Sequence, residues 1–78
     1  MSAILRKIFA DTLDLPEEQI IDSLEYNSIP NWDSVAHMAL IAALDDTFNI
    51  MIDTEDVIDF NSFKKVKEVL MNKYGVAL

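Results

Sequence analysis

The sequence DSVAHMALIAALDDTF, residues 33–48, is the most informative part of the chain for its fold. Its large apolar residues recur at helical spacing, since Leu40, Leu44 and Phe48 fall within about 80° of one another on a helical wheel. Asp33 suits the N-cap, because a carboxylate there accepts hydrogen bonds from backbone amides that lack partners in the first turn. The pattern therefore predicts a helix from Ser34 to Phe48.

This helix has a second apolar side, opposite the residues expected in the core. Most of its members are small, with acids at the edge: Val35, Met38, Ala39, Ala42, Asp45 and Asp46. A helix that is apolar on two sides is either buried all round or presents one side to a partner. Burial all round is difficult in a chain of 78 residues, so the pattern favours a partner surface.

The rest of the chain also shows helical periods and no strand alternation. A first helix over residues 3–13 is indicated by Ile4, Leu5, Ile8, Phe9 and Leu13. A short third helix should follow Asp53, with Ile52 and Val57 as a hydrophobic staple. A last helix should begin after Ser62 and end near Gly75, with Phe63, Val66, Leu70 and Tyr74 on one face.

We therefore expect an all-α fold in one domain over residues 1–78. It should be a small four-helix bundle of three longer helices and one short helix. Between the first and second helices runs a long loop of some twenty residues, with one turn near Pro16 and Glu17. The expected core consists of Ile4, Ile8, Leu40, Leu44, Phe48, Val66 and Leu70.

Composition excludes several classes of function. Fourteen acidic against six basic residues give a net charge of −8, which repels nucleic acid phosphates and anionic membranes. Thirteen of the acids precede residue 62, so a basic protein partner is favoured. Cysteine is absent, which suits a reducing compartment, and no signal-peptide pattern precedes the first helix. We expect a cytoplasmic monomer that is not an enzyme, with no nucleic acid partner and no membrane insertion.

The start of the second helix resembles the acyl carrier protein family. Asp33-Ser34-Val35 matches the family's Asp-Ser-Leu motif, which opens the second of four helices after a long loop. Downstream, Leu40-Ile41, Leu44-Asp45-Asp46 and Phe48 match further family positions, and the likeness runs from the first helix through Leu15-Pro16-Glu17-Glu18 to Val66 and Leu70.

This resemblance implies that Ser34, beside Asp33, carries 4′-phosphopantetheine donated by coenzyme A. The chain would then hold acyl intermediates as thioesters for fatty acid, polyketide or specialised lipid pathways. Implied partners are a phosphopantetheinyl transferase and acyl-transferring and chain-modifying enzymes with basic docking surfaces. The implied partner contacts are Val35, Met38, Asp45, Asp46, Glu55 and Asp56.

Some residues depart from the family pattern. Trp32 stands where glycine or alanine is frequent, and Ala36, His37 and Ala39 stand where acids are frequent in the next turn. The acyl group and pathway therefore stay open. An alternative function fits the same acidic and apolar helix: a small acidic adaptor that docks on a basic protein and carries no prosthetic group.

Two further motifs have structural interpretations. Trp32 and His37 occupy the two staple positions around the Asp33 cap, and Ser34 with His37 lacks the oriented third member of a hydrolytic triad. The acids near residues 53–59 lack the spacing of a calcium loop. We therefore expect no catalytic residues and no metal site.

Overall fold

The computed structural model describes residues 3–78, and it is all-helical. The helices are α1, Ala3–Leu13; α2, Ser34–Phe48; α3, Thr54–Asp59; and α4, Phe63–Asn72. A 3₁₀ turn at Glu17–Gln19 lies in the loop between α1 and α2, and Glu25 forms an isolated bridge with Ser62. No strand occurs within residues 3–78. The predicted four-helix fold with its long first loop is confirmed.

Side-chain caps begin α2 and α4. Asp33 accepts a hydrogen bond from the Ala36 amide at 2.8 Å, and the Ser62 hydroxyl accepts one from the Lys65 amide at 3.0 Å. Asp53 occupies the N-cap of α3, but its side chain makes no capping bond. The caps predicted at Asp33 and Ser62 are thus confirmed, and α3 begins without one.

Left-handed residues follow the ends of α1 and α2. Asp14 and Asn49 have φ angles of 57° and 53°. The Leu15 amide donates to the Ala10 carbonyl at 3.0 Å, and the Ile50 amide donates to the Asp45 carbonyl at 3.1 Å. These 6→1 bonds are the Schellman arrangement, which satisfies carbonyls that a helix end leaves unpaired. Beyond α4, Gly75 has the predicted positive φ, 67°.

Three aromatic rings form the centre of the core. Phe9 of α1 packs edge-on against Trp32, with ring centroids 5.4 Å apart, and against Phe63 of α4 at 4.9 Å. All three side chains are fully buried or nearly so. Because Trp32 lies just before α2, its ring attaches the end of the long loop to α1.

The predicted core is correct in α2 and α4 and partly wrong in α1. Leu40, Leu44, Val66 and Leu70 are fully buried, while Ile8 and Phe48 pack against the core with partial exposure. Ile4 is 52% exposed. The core-facing residues of α1 are Leu5, Phe9, Ala10 and Leu13. Ile4 lies about 100° around the helix from Leu5 and about 140° from Phe9, so it points away from the core.

The long loop is held by hydrogen bonds to the helices. The Asn31 amide group donates to the Leu13 carbonyl at 3.0 Å, and the Phe63 amide donates to the Leu24 carbonyl at 3.0 Å. Lys67 of α4 pairs with Asp22 at 2.5 Å. These bonds fix the chain that leads to Ser34. Within residues 3–78, no helix combines the length and apolar character needed to cross a bilayer.

Candidate modification site and docking surface

Ser34 is the first residue of α2 and is exposed. Its hydroxyl makes no hydrogen bond within residues 3–78. By contrast, the Ser28 hydroxyl donates to the Glu25 carbonyl at 2.6 Å, and the Ser62 hydroxyl caps α4. A helix start concentrates free amide groups and the positive end of the helix dipole. Ser34 therefore combines an accessible hydroxyl with a setting that favours a negatively charged group.

A hydrogen-bonded chain of side chains supports the start of α2. The indole N–H of Trp32 donates to Nδ1 of His37 at 3.0 Å, and Nε2 of His37 lies 2.8 Å from the Val57 carbonyl oxygen. Because an indole nitrogen only donates, Nδ1 must be unprotonated, so Nε2 carries the hydrogen and donates to Val57. Both ring nitrogens of His37 are thus engaged, and its neutral tautomer is set by its partners.

The Trp32 and His37 rings also stack, with centroids 6.1 Å apart and an interplanar angle of 27°. Trp32 is fully buried and His37 is 8% exposed. This geometry confirms the predicted staple and adds a hydrogen bond that the staple does not require. It leaves His37 no free nitrogen with which to activate Ser34.

Beside Ser34 lies an exposed surface of α2, which we call the α2 face: the apolar residues Val35, Met38, Ala39 and Ala42, with Asp46 at its edge. Val35 is 78% exposed and Met38 is 58% exposed. An open groove of about 270 Å³ lies between α2 and α3 and is lined by Tyr26, His37, Val57, Ile58 and Phe60. Ile58 of α3 is 76% exposed. Exposed apolar side chains therefore occur on both helices that border the groove, as is typical of a docking site.

The four acids predicted to contact a partner differ in their exposure to solvent. Asp46 and Glu55 are exposed. Asp45 is half-buried, and its carboxylate accepts a hydrogen bond from the Ile52 amide at 3.1 Å. Asp56 is only 7% exposed. The assignment of Asp56 to a partner surface is therefore corrected, because its carboxylate faces the end of α4 instead of solvent.

Asp56 belongs to a cluster that joins α3 to the C-terminal segment. The Tyr74 hydroxyl donates to the Asp56 carboxylate at 2.6 Å and accepts from the Asp53 amide at 2.8 Å. The Lys73 ammonium lies 2.8 Å from the same Asp56 carboxylate, and it pairs with Asp53 at 3.4 Å and Glu55 at 3.7 Å. A lysine ammonium thus lies among the acids that begin α3.

This cluster shifts the acid–base properties of its members. Hydrogen bonds from Lys73 and then from Tyr74 lower the pKa of Asp56, because both favour the carboxylate. Burial, followed by the hydrogen bond to Asp56, raises the pKa of Tyr74. The hydrogen bond with Asp56 also raises the pKa of Lys73. Sequence reasoning missed the cluster because Lys73 and Tyr74 lie far along the chain from Asp56.

Within the residues that the structure describes, no three His, Cys, Asp or Glu side chains are grouped to hold a metal ion. Comparison with models of protein families finds none that matches the chain, and comparison with curated protein sequences finds no significant match. The function of this site must therefore follow from its own geometry and chemistry.

Proposed function

We propose that the chain is a carrier of the acyl carrier protein type, with 4′-phosphopantetheine attached to Ser34. The observation that carries the proposal is an exposed serine at the first residue of a capped helix of 15 residues, with a hydroxyl that bonds no group in the described part of the chain. The acyl carrier protein motif in the sequence supports the same residue. The chain itself performs no chemistry on the cargo, since the thiol of the attached group would hold the acyl chain.

Attachment would proceed by nucleophilic attack of the Ser34 hydroxyl oxygen on the phosphorus of coenzyme A that bears the pantetheine arm. A new P–O bond to Ser34 forms while the pyrophosphate bond breaks, and adenosine 3′,5′-bisphosphate leaves. The hydroxyl proton passes to a base of the transferase, because His37 has no free nitrogen. The phosphodiester product would lie at the positive end of the α2 dipole.

Partner recognition would use the α2 face together with exposed acids. Val35 and Met38 supply apolar contact area next to Ser34, and Asp46 with Glu55 would attract a basic enzyme surface. Such charges at the rim of an interface mainly raise association rates, and the effect weakens as salt shortens the Debye length from about 10 Å at 0.1 M to about 3 Å at 1 M. Asp46→Lys should therefore slow modification of Ser34 at low salt more than at high salt.

The decisive experiment is intact-mass measurement after incubation with coenzyme A, magnesium and a phosphopantetheinyl transferase. Wild type should gain the mass of one phosphopantetheinyl group, and Ser34→Ala should gain none while it stays folded. Ser23→Ala is the matched control, because Ser23 is also exposed and its hydroxyl bonds nothing among residues 3–78, but it lies in the long loop. It should be modified at the wild-type rate.

Modification that persists in Ser34→Ala would overturn the site assignment. If the transferase modifies an established carrier but not this chain, the carrier function fails. Binding to a basic protein without any modification would then favour the adaptor.

A further inference from the structure

His37 joins three separate segments of the chain. It contacts the long loop through Trp32, belongs to α2, and donates to the Val57 carbonyl of α3. The Asn61 amide, which a longer helix would direct to Val57, donates instead to the Asp59 carbonyl at 2.8 Å. The imidazole therefore supplies a donor for one of the carbonyls that the end of α3 leaves without a helical partner.

α3 depends on such external bonds. It has six residues and no side-chain cap at its start, whereas isolated helices shorter than about 12 residues are marginal in water. Bonds from other segments hold both of its ends. Tyr74 and Lys73 bond Asp53 and Asp56 near the start of α3, and His37 bonds Val57 near the end of α3. Among the hydrogen bonds within residues 3–78, the His37 bond is the one that joins α3 itself to the helix that begins with Ser34, while Asp45 of that helix accepts from the Ile52 amide just before α3.

We propose that His37 is a positioning residue, which holds α3 against α2 so that Ile58 and Glu55 join Val35 and Met38 in one docking surface beside Ser34. The inference rests on the proposed function, and the expected occupant is the phosphopantetheinyl transferase. Charge complementarity supports this occupant, since Asp46 at the edge of the α2 face and Glu55 of α3 are exposed acids that a basic enzyme surface would attract. Glu55 also lies 3.7 Å from the Lys73 ammonium, so Asp46 is the less neutralised of the two. Glu55 and Ile58 are three residues apart, which places them on one side of α3.

Histidine suits this role because its rigid ring accepts at one edge and donates at the other. Two substitutions separate the bonds. His37→Gln places an amide donor near the position of Nε2 and keeps the bond to Val57. His37→Asn is too short to reach Val57 but keeps an acceptor near the position of Nδ1 for Trp32. The two variants both carry an amide side chain. His37→Gln keeps α3 attached to α2, and His37→Asn keeps the long loop attached to α2.

The test measures transferase kinetics and backbone amide spectra for both variants. His37→Asn loses the hydrogen bond to the Val57 carbonyl that holds α3 in place. Its KM for the transferase should rise about three- to tenfold with kcat little changed. His37→Gln should stay within about twofold of wild type. The amide signals of Val57 to Phe60 should move in His37→Asn and remain near their wild-type positions in His37→Gln.

Equal KM values for the two variants, or α3 amide signals that do not move in His37→Asn, would overturn the inference. Ile58→Ser tests the docking surface even if a His37 variant fails to fold. Because Ile58 is exposed, its replacement should raise KM without lowering stability. An unchanged KM for Ile58→Ser would remove α3 from the docking surface. If wild type is never modified, the proposed function fails, while the amide spectra still report separately whether His37 positions α3.

Discussion

Replacing Tyr74 with phenylalanine tests the cluster that attaches α3 to the C-terminal segment. The change removes one hydroxyl and leaves the ring. That hydroxyl donates to the Asp56 carboxylate at 2.6 Å and accepts from the Asp53 amide at 2.8 Å. Asp53 is exposed, so its amide regains a hydrogen bond to water, whereas Asp56 is buried and keeps only the Lys73 ammonium as a partner.

The cost follows from the bond to the carboxylate. Hydrogen bonds to charged groups contribute about 1.5–3 kcal/mol, and Lys73 remains beside Asp56 in the variant, so we expect a loss of about 1–2 kcal/mol in the free energy of unfolding. For a domain of this size, that corresponds to a Tm lower by about 5–15 °C. Urea unfolding followed by the fluorescence of the single, fully buried Trp32 measures it. Tyr26→Phe is the control, because the Tyr26 hydroxyl has no partner within residues 3–78, and it should be nearly neutral.

The stability difference between wild type and Tyr74→Phe should depend on pH in both directions. The pKa of Asp56 is lowered in the folded state. The stability that the ionised carboxylate contributes is therefore present above its unfolded-state pKa and is lost as pH falls through its folded-state pKa. The pKa of Tyr74 is raised in the folded state. The stability that the protonated hydroxyl contributes is therefore present below its unfolded-state pKa of about 10 and is lost as pH rises through its folded-state pKa. The difference should be flat from about pH 5 to 9 and shrink on either side.

An equal free energy of unfolding for Tyr74→Phe and wild type at pH 7 would refute the proposed energetics of the cluster. So would a difference that does not shrink in acid, since the bond that is removed ends on the Asp56 carboxylate. The Asp56→Asn background provides a second check. There the Tyr74→Phe change should cost less, because the charged acceptor is already absent.

Two further predictions concern α1 and the start of α2. Leu5→Ala should lower the free energy of unfolding by about 2–5 kcal/mol, because Leu5 is fully buried; Ile4→Ala, one residue away and mostly exposed, should cost under about 0.5 kcal/mol. Similar losses in urea unfolding would show that the core direction of α1 is misassigned. Asp33→Ala should cost about 1 kcal/mol through loss of the cap on the Ala36 amide, and Asp33→Ser should recover most of it. Thermal unfolding followed by circular dichroism compares the three proteins, and a Ser variant no better than the Ala variant would contradict the capping role.

The helices and most of their ends could be predicted from local sequence patterns. Helical periodicity and caps act over three or four residues, so Asp33, Ser62 and Gly75 could be placed without knowledge of the packing. The exposed position of Ser34 followed from the same local rules, as did the buried positions of Leu40 and Leu44. In these elements, the residues that predict the structure are close in the chain to the residues that they contact.

Contacts between groups far apart in the chain could not be predicted in this way and depend on how the helices pack. Ile4 and Leu5 are both apolar, and the direction of packing chose Leu5. Asp56 lies among exposed acids in the sequence, yet Lys73 and Tyr74 bury it from 17 and 18 residues away. The bond from His37 to Val57 spans 20 residues. Such contacts depend on how the helices are oriented, and that orientation is set by the whole core instead of by any local pattern.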